Sequence, residues 1–210
     1  NHSRQQFHEV EIGVRRDGTI VALKDRLLAD LGAYVRTHGV IVPELTAALL
    51  PGPYRIPNYL CEALCVLTNK TPTGTYRGPG RYECTFVRER LVDLVAKELG
   101  LDPALVRRRN FIQPEEFPYE VGGDALGQHT VYDVGDYPGA FEAALVALDY
   151  KAARAQQEAA RKEGRYVGIG LGCLVEKAGL GPWEYARVEV DGSGHVAVYS
   201  GVAAVGQGIE

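Results

Sequence analysis

The first third of the chain alternates apolar and polar positions in a way that predicts β-structure. Residues 7–14 and 19–28 alternate around the turn at Arg16-Asp17-Gly18, which is typical of a β-hairpin. Residues 44–50 predict a short helix that ends before a Pro-Gly-Pro segment. Residues 60–67 are rich in Leu, Val and Cys, and such a run predicts a strand that is buried on both faces.

The middle of the chain is predicted to be helical. Residues 83–99 carry apolar side chains at helical spacing, and Gly100 follows as a stop signal. Asp102 and Asp136 each occupy the capping position of a further predicted helix. The apolar stripe expected to face the core of the first helix consists of Phe86, Val87, Leu91, Leu94, Val95 and Leu99.

The pattern returns to strands near the end of the chain, at residues 168–176, 185–190 and 195–200. Helices are expected to run from Asp136 to Leu148 and over residues 150–163. The fold class is therefore α+β, with mixed sheets packed against helices. We expect three parts: a first domain over residues 1–113, a connector rather than a packed element over 114–136, and the start of a second, truncated domain over 137–210.

Composition excludes several classes of partner. A net charge of −4 and a pI near 5.8 argue against nucleic-acid or anionic-membrane binding, and no apolar run reaches the ~18 residues of a membrane span. The basic run Arg107-Arg108-Arg109 is short and is interpreted as a solvated helix face. The five histidines show no spacing typical of a metal site and are expected to be exposed or hydrogen-bonded.

The cysteines and the missing methionine indicate the setting of the chain. Cys61, Cys65, Cys84 and Cys173 lack the spacing of a zinc site and are interpreted as reduced core thiols of a cytoplasmic protein. The chain has no methionine, not even a start residue, and opens on polar residues that run into a strand. We therefore expect an internal piece of a longer polypeptide.

Residues 75–81, Thr-Tyr-Arg-Gly-Pro-Gly-Arg, carry the clearest candidate chemistry. Gly78 and Gly80 let the backbone approach a bulky anionic ligand, because no Cβ blocks it. Arg77 and Arg81 supply donors, and the N-terminus of the following helix favours negative charge. Taken alone, the string also fits an ordinary strand-to-helix turn.

A second glycine-rich loop lies at the end of the chain, at Gly206-Gln207-Gly208. It places a side-chain amide, which both donates and accepts hydrogen bonds, between two permissive residues. In isolation it fits a glycine-rich turn with a solvated glutamine equally well.

The two loops, in this order, resemble the molybdenum-binding large subunit of the xanthine dehydrogenase and aldehyde oxidase family, which includes carbon monoxide dehydrogenase-like members. In that family a Tyr/Phe-Arg-Gly-x-Gly loop precedes a long helix, and a Gly-Gln-Gly loop follows a glycine-rich strand pair. Further segments that look like the family are residues 17–23, 54–58, 101–110 and 132–136. The resemblance covers nearly the whole chain.

The resemblance implies a molybdenum ion held by a pterin rather than by side chains, so that no residue is a metal ligand. By the motif match it implies Arg77 as the catalytic residue, Tyr76, Arg77, Gly78, Gly80, Gly206, Gln207 and Gly208 as cofactor-binding residues, and Pro79 and Leu45 as substrate-pocket residues. It also implies a molybdopterin cofactor, in the cytosine dinucleotide form for a prokaryotic enzyme. The expected partners are a small-molecule substrate and subunits or domains that carry 2Fe-2S clusters and FAD, within a homo- or hetero-oligomer.

Departures from the family pattern narrow the expected substrate. Members that oxidise carbon monoxide carry a cysteine where this chain has Gly78, which argues against that substrate. Purine-oxidising members carry an arginine where Leu45 follows Glu44, so no guanidinium orients a purine here. An aldehyde or an N-heterocycle, hydroxylated with oxygen from water, fits better than xanthine.

Two other classes of function remain open from the sequence. The family's general base is a glutamate in a late Gly-x-Gly-Glu motif, which this sequence lacks, so the fragment alone is expected to be inactive. A non-catalytic binding or assembly module that keeps the fold without the metal is therefore the alternative. A phosphate-binding domain ranks last, because no Walker-type lysine or dinucleotide fingerprint is present.

Overall fold

The structure of the chain, a computed structural model, describes residues 4–176 and 183–202. The chain forms two compact units, Asn1–Val175 and Glu176–Glu210. In the described residues the first unit holds a three-stranded sheet, five α-helices and a small hairpin, and the second holds a two-stranded hairpin. No helix within residues 4–176 and 183–202 combines the length and the apolar character needed to cross a membrane.

The predicted N-terminal hairpin is confirmed. Strands β1 (Gln5–Val14) and β2 (Ile20–Asp30) pair antiparallel, and β3 (Tyr59–Val66) adds to β2 in parallel, so that β2 is central. Leu23 and Leu27 of β2 point to the buried face of the sheet and belong to the core.

The prediction that the third strand is buried on both faces was wrong. β3 lies at the edge of the sheet, and Leu60 and Leu64 are 53% and 46% exposed. A parallel strand is buried on both faces only when helices cover both sides of the sheet. In the described part of the chain helices pack only against the inner face of this sheet, so the outer face of β3 faces solvent.

Helix α1 (Thr37–Leu49) begins seven residues before the predicted start at residue 44. Pro43 lies inside it and cannot donate a hydrogen bond to the preceding turn, which is why the sequence favoured a later start. The helix nevertheless continues through the proline because its inner face, including Val42, Leu45 and Leu49, is buried. Tertiary packing therefore offsets the lost backbone hydrogen bond.

Helix α2 (Arg81–Leu99) is present as predicted, and its apolar stripe is confirmed in part: Val95 is buried, and Val87, Leu91 and Leu99 pack against the core. Phe86 and Leu94 of the predicted stripe are 72% and 44% exposed. The residues that it buries are Arg81, Cys84, Arg88, Glu89, Val92, Val95 and Ala96. The inner face accepts charged residues because Arg88 Nε donates to Glu89 Oε1 over 3.0 Å, which neutralises the buried pair.

Helix α3 (Pro103–Asn110) begins at Asp102, whose side chain accepts hydrogen bonds from the N–H groups of Ala104 and Leu105, as predicted for a capping residue. The interpretation of its basic run as a solvated face was wrong for Arg107, which has no exposed surface. Arg107 lies inside because Glu89 and Asp93 of α2 compensate its charge.

Residues 114–136, predicted as a connector rather than a packed element, contain a short 3-10 helix (Pro114–Glu116) and a complete hairpin. The hairpin consists of β4 (Tyr119–Ala125) and β5 (Gln128–Tyr132). Val121, Ala125 and Tyr132 are buried, and the glycines that suggested a connector allow positive φ angles in β4. The prediction of a connector without packed structure was therefore wrong.

The later helices are confirmed as α4 (Tyr137–Leu148) and α5 (Tyr150–Lys162), with Asp136 accepting from Gly139 N at the start of α4. Residues 168–176, predicted as a strand, have no regular secondary structure and pair with no strand of the described residues. Strands β6 (Ala186–Val190) and β7 (Val196–Ser200) form the predicted antiparallel hairpin of the second unit.

The four cysteines are free. Cys84 is buried in the core, as expected, whereas Cys65 is exposed because β3 is an edge strand. Burial raises the pKa of both the Cys61 and the Cys173 thiol to about 11, so these two side chains stay protonated near neutral pH.

Candidate functional site

The loop at residues 75–80 connects the region after β3 to α2, and its backbone is fixed against α1 at both ends. At the first end, Thr75 Oγ1 donates a hydrogen bond of 2.7 Å to His38 O in the first turn of α1. At the other end, Gly80 packs directly on the backbone of α1 at Leu45 and Thr46. The loop is therefore positioned by a helix that precedes it by about thirty residues.

The two glycines of the loop have different surroundings. Gly80 has φ +75°, and a Cβ at this position would lie 2.5 Å from Thr46 N and 2.7 Å from the Leu45 Cβ. Its close approach is therefore to α1 and not to a ligand. Gly78 has φ +54°, and a Cβ there would meet only Arg81 Cβ, at 3.9 Å. The loop backbone is therefore open to an incoming group at Gly78 and closed at Gly80.

The two arginines of the loop point in different directions. Arg77 is exposed and next to Tyr76, whose side chain is 93% exposed. Arg81 is 8% exposed, and its Nη1 donates to Pro79 O over 3.1 Å. The expectation that both arginines supply donors to a ligand is therefore corrected: Arg81 braces the loop from inside, and Arg77 is the arginine that projects outward.

Helix α2 begins directly after the loop, and Gly80 in front of it provides no side-chain cap. The N–H groups of the first turn and the helix dipole therefore favour negative charge at this end. Glu83 in that first turn is buried and lies 2.9 Å from Arg4 Nε. Burial raises the pKa of the Glu83 carboxyl, and the positive charge of Arg4 opposes this shift.

Sequence reasoning did not single out Arg4 or Glu83. Glu83 stands three residues after Gly80, in the first turn of a predicted helix, where acidic side chains are favoured, and this position was a usable signal. Arg4 has no comparable signal, because it lies more than seventy residues away in the chain. Only the folding of β1 beside the start of α2 brings the two together.

A second set of polar side chains connects the sheet to Thr46, the α1 residue against which Gly80 packs. His8 Nδ1 lies 2.8 Å from Asp25 Oδ2, and His8 Nε2 lies 3.1 Å from Gln6 Oε1. Gln6 Nε2 then donates to Thr46 Oγ1 over 3.1 Å. The prediction of a hydrogen-bonded histidine is confirmed for His8, and these contacts extend the support of the loop to the central strand.

Leu45 and Pro79, predicted from the resemblance as substrate-pocket residues, differ in exposure. Leu45 is 2% exposed and belongs to the core, whereas Pro79 is half-buried. Gly206, Gln207 and Gly208 lie outside the described residues. In the parts of the chain that are described, no three His, Cys, Asp or Glu side chains cluster in a way that could hold a metal ion.

The α+β fold and an arginine loop held open at one glycine are compatible with a chain that binds a cofactor. The chain belongs to the molybdopterin cofactor-binding domain family, whose two domain models match residues 1–111 and 143–210. The resemblance inferred from the two loops is thus confirmed, and so is the α+β fold class.

Three proteins of known name are similar to the chain over nearly its whole length. It is 42% identical, over its full length and 26% of the relative, to the gamma subunit of the 6-hydroxypseudooxynicotine dehydrogenase complex of Paenarthrobacter nicotinovorans. It is 32% identical to the nicotine 6-hydroxylase large subunit of the same organism, over 99% of this chain and 26% of that protein. The crystal structure of quinoline 2-oxidoreductase from Pseudomonas putida 86 aligns with a TM-score of 0.81 and 32% identity, over 97% of this chain and 27% of that one. The chain therefore spans about a quarter of the length of these relatives.

Proposed function

We propose that the chain is part of the large subunit of a molybdenum hydroxylase, which binds molybdopterin and hydroxylates an N-heterocycle or an aldehyde with oxygen from water. The observation that carries the proposal is the loop at residues 75–80, whose backbone is fixed while Arg77 projects outward. The names of three relatives, which refer to nicotine, a hydroxylated pseudooxynicotine and quinoline, favour the N-heterocycle.

The residues of the loop fit a bulky anionic cofactor. Gly78 leaves the backbone accessible, and the uncapped start of α2 favours negative charge beside it. Bound there, the molybdenum–pterin group would supply the two-electron redox chemistry. We assign Arg77 to hydrogen-bond donation toward charge that develops in the reaction, and Tyr76 and Gly78 to the cofactor side of the loop. Gly80, which the resemblance also implies as a cofactor-binding residue, is assigned to holding the loop on α1.

The remaining assignments follow from the family. We propose that Gly206, Gln207 and Gly208 contact the pterin and that Pro79 lines the substrate pocket. Leu45, which lies in the core, is proposed to shape the pocket only from beneath the loop. The cofactor is proposed to be the cytosine dinucleotide form, with 2Fe-2S and FAD on partner subunits or domains of a cytoplasmic complex. We also propose two molybdopterin-binding domains that meet between residues 114 and 136, a division supported by the two separate family matches.

Metal analysis tests the proposed function directly. The intact protein that contains this chain, purified in active form, should contain about one molybdenum atom and one pterin per chain, because the family binds the metal through the pterin. Elemental analysis combined with identification of the released pterin gives both values. An active protein without molybdenum would end the proposal.

Replacing Arg77 with alanine in the intact protein should lower turnover at least ~10-fold, as the loss of a preorganised donor commonly does. Molybdenum content should change little, because the loop backbone keeps its anchors at Thr75 and Gly80. The matched control is Arg26→Ala on the exposed face of the sheet, where Arg26 pairs with the exposed Glu9, and turnover should be unchanged in this variant. Equal turnover in the two variants would show that Arg77 has no role in the reaction.

A further inference from the structure

We propose that Arg4 is a positioning residue of this site, which fixes the peptide between Arg77 and Gly78 and thereby the direction of the Arg77 side chain. For its effect on turnover, this inference rests on the proposed function of Arg77. For its effect on the conformation of the loop, it rests on the geometry alone.

The Arg4 guanidinium contacts one residue of the loop and two residues in the first turn of α2. Its Nη2 donates to Arg77 O over 3.3 Å, and its Cζ lies 4.4 Å from the centre of the Tyr82 ring. Its Nε lies 2.9 Å from Glu83 Oε1. One guanidinium therefore joins the middle of the loop to the first turn of α2.

The ion pair holds the Arg4 guanidinium in place. The side chains of Arg4 and Glu83 are only 6% and 8% exposed, and separating two charges at such a depth would leave each of them desolvated without a partner. Neither carboxylate oxygen of Glu83 has a hydrogen-bond partner in the described residues. The positive charge of Arg4 therefore stabilises this buried carboxylate as an ion pair and not through a hydrogen bond.

The point that Arg4 holds lies between the other anchors of the loop. Thr75 and Gly80 are fixed on α1, and Arg81 holds the carbonyl groups of Gly78 and Pro79. The carbonyl group of Arg77 precedes a glycine with φ +54°. Glycine adopts positive and negative φ with similar ease, so this peptide can rotate unless its carbonyl group is bound. The hydrogen bond from Arg4 selects one orientation.

No sequence pattern would have assigned this role. Arg4 directly precedes β1, whose residues alternate as in an ordinary strand, and its partner is a loop that follows two further strands and a helix. The role of Arg4 is therefore a consequence of the position of β1 beside the start of α2.

The experiment uses the intact protein and the variant Arg4→Met, which keeps an unbranched side chain and removes the guanidinium and its charge. Hydrogen exchange is followed at the amides of Arg81 and Cys84, because their hydrogen-bond acceptors are Gly78 O and Gly80 O of the loop. We expect about ten-fold faster exchange at these amides, as the loss of one charge-assisted hydrogen bond predicts. Arg4→Lys, which keeps the charge near Glu83, should restore most of the protection.

Turnover is measured on the same samples. With the cofactor content unchanged, kcat should fall about 10-fold while KM stays within about two-fold, because a misdirected Arg77 affects the reacting state more than substrate binding. Arg26→Met, which removes an exposed arginine from the adjacent strand, should change neither exchange nor kcat.

The two readouts separate the inference from the proposed function. Unchanged exchange at Arg81 and Cys84 in a folded Arg4→Met protein would overturn the positioning role. Faster exchange with unchanged kcat would support the positioning role and contradict the role of Arg77 in the reaction. If Arg4→Met does not fold, Glu83→Gln is the second variant, and the same acceleration is expected because Arg4 then loses its counter-charge. Unchanged exchange in Glu83→Gln would count equally against the proposal.

Discussion

Replacing Arg107 with alanine should lower the free energy of unfolding by about 3–5 kcal/mol, the range seen when one partner of a buried ion pair is removed. Arg107 has no exposed surface, its Nε donates to Glu89 Oε2 over 3.0 Å, and its Nη1 donates to Asp93 Oδ1 over 2.9 Å. Its Nη2 also donates to Leu171 O over 2.9 Å. Alanine would leave Glu89 buried with only part of its compensation and would release the segment around residue 171.

The pKa of Arg107 agrees with this description of its surroundings. Burial alone would lower the pKa of the guanidinium, but Tyr54, Glu89 and Asp93 together raise it above its ordinary value. The charged form is therefore the form that the folded state prefers. Removing the guanidinium takes away a cation around which three elements of the first unit, α2, α3 and the segment at residue 171, are packed.

Urea denaturation of the variant and of a matched control measures the effect. The control is Arg108→Ala, one residue along the same helix, where Arg108 forms an exposed ion pair with Glu142 and is 44% exposed. That pair is expected to contribute no more than about 1 kcal/mol. If both variants lost the same free energy of unfolding, the burial of Arg107 would have no energetic consequence. That result would agree with the interpretation of the basic run as a solvated face.

Replacing Gly80 with alanine should lower the free energy of unfolding by about 2–5 kcal/mol, the sum of a left-handed backbone strain and an overpacking effect. Gly80 has φ +75°, which is unfavourable for any residue with a Cβ. The new Cβ would also lie 2.5 Å from Thr46 N, an atom of the α1 backbone that cannot move without the helix. The loop and α1 must therefore separate.

Gly78→Ala is the matched control in the same loop. Gly78 also has a positive φ, of +54°, but a Cβ there would meet only Arg81 Cβ at 3.9 Å. Alanine at this position should cost only the strain of the left-handed conformation, about 1–2 kcal/mol. Urea denaturation of both variants gives the difference, and a Gly78 variant that loses as much stability as the Gly80 variant would contradict the packing of Gly80 on α1.

Features that depend on neighbours in the sequence were predicted well. The β1–β2 hairpin, the capping roles of Asp102 and Asp136, and the hairpin of the second unit are all confirmed. Each is fixed by side chains within a few residues of one another, so that local conformational preference and local hydrogen bonds decide the outcome. The loop at Arg77 was identified in the same way, from glycines beside a helix start.

Features that depend on distant contacts were predicted poorly. The apolar residues of α2 predicted a purely apolar buried face, but the helix also buries Arg88 and Glu89. These charges are stable inside because Glu89 pairs with Arg88 on the same helix and with Arg107 on α3. β3 looked like a central strand and is an edge strand, because strand order depends on which elements cover the sheet. Residues 114–136 were predicted as a connector because glycines in a hairpin and in a loop give the same local signal.

The sequence by itself determined the α+β class, the local elements and the candidate loop, because periodicity, caps and glycine positions act over short distances along the chain. It also determined the family, through two motifs in a defined order. Only the tertiary structure decided which glycine faces α1, which arginine projects outward, and that Arg4 and Glu83 support the loop. The physical reason is that a buried charge is stable only beside its counter-charge, and that partner can lie anywhere in the chain.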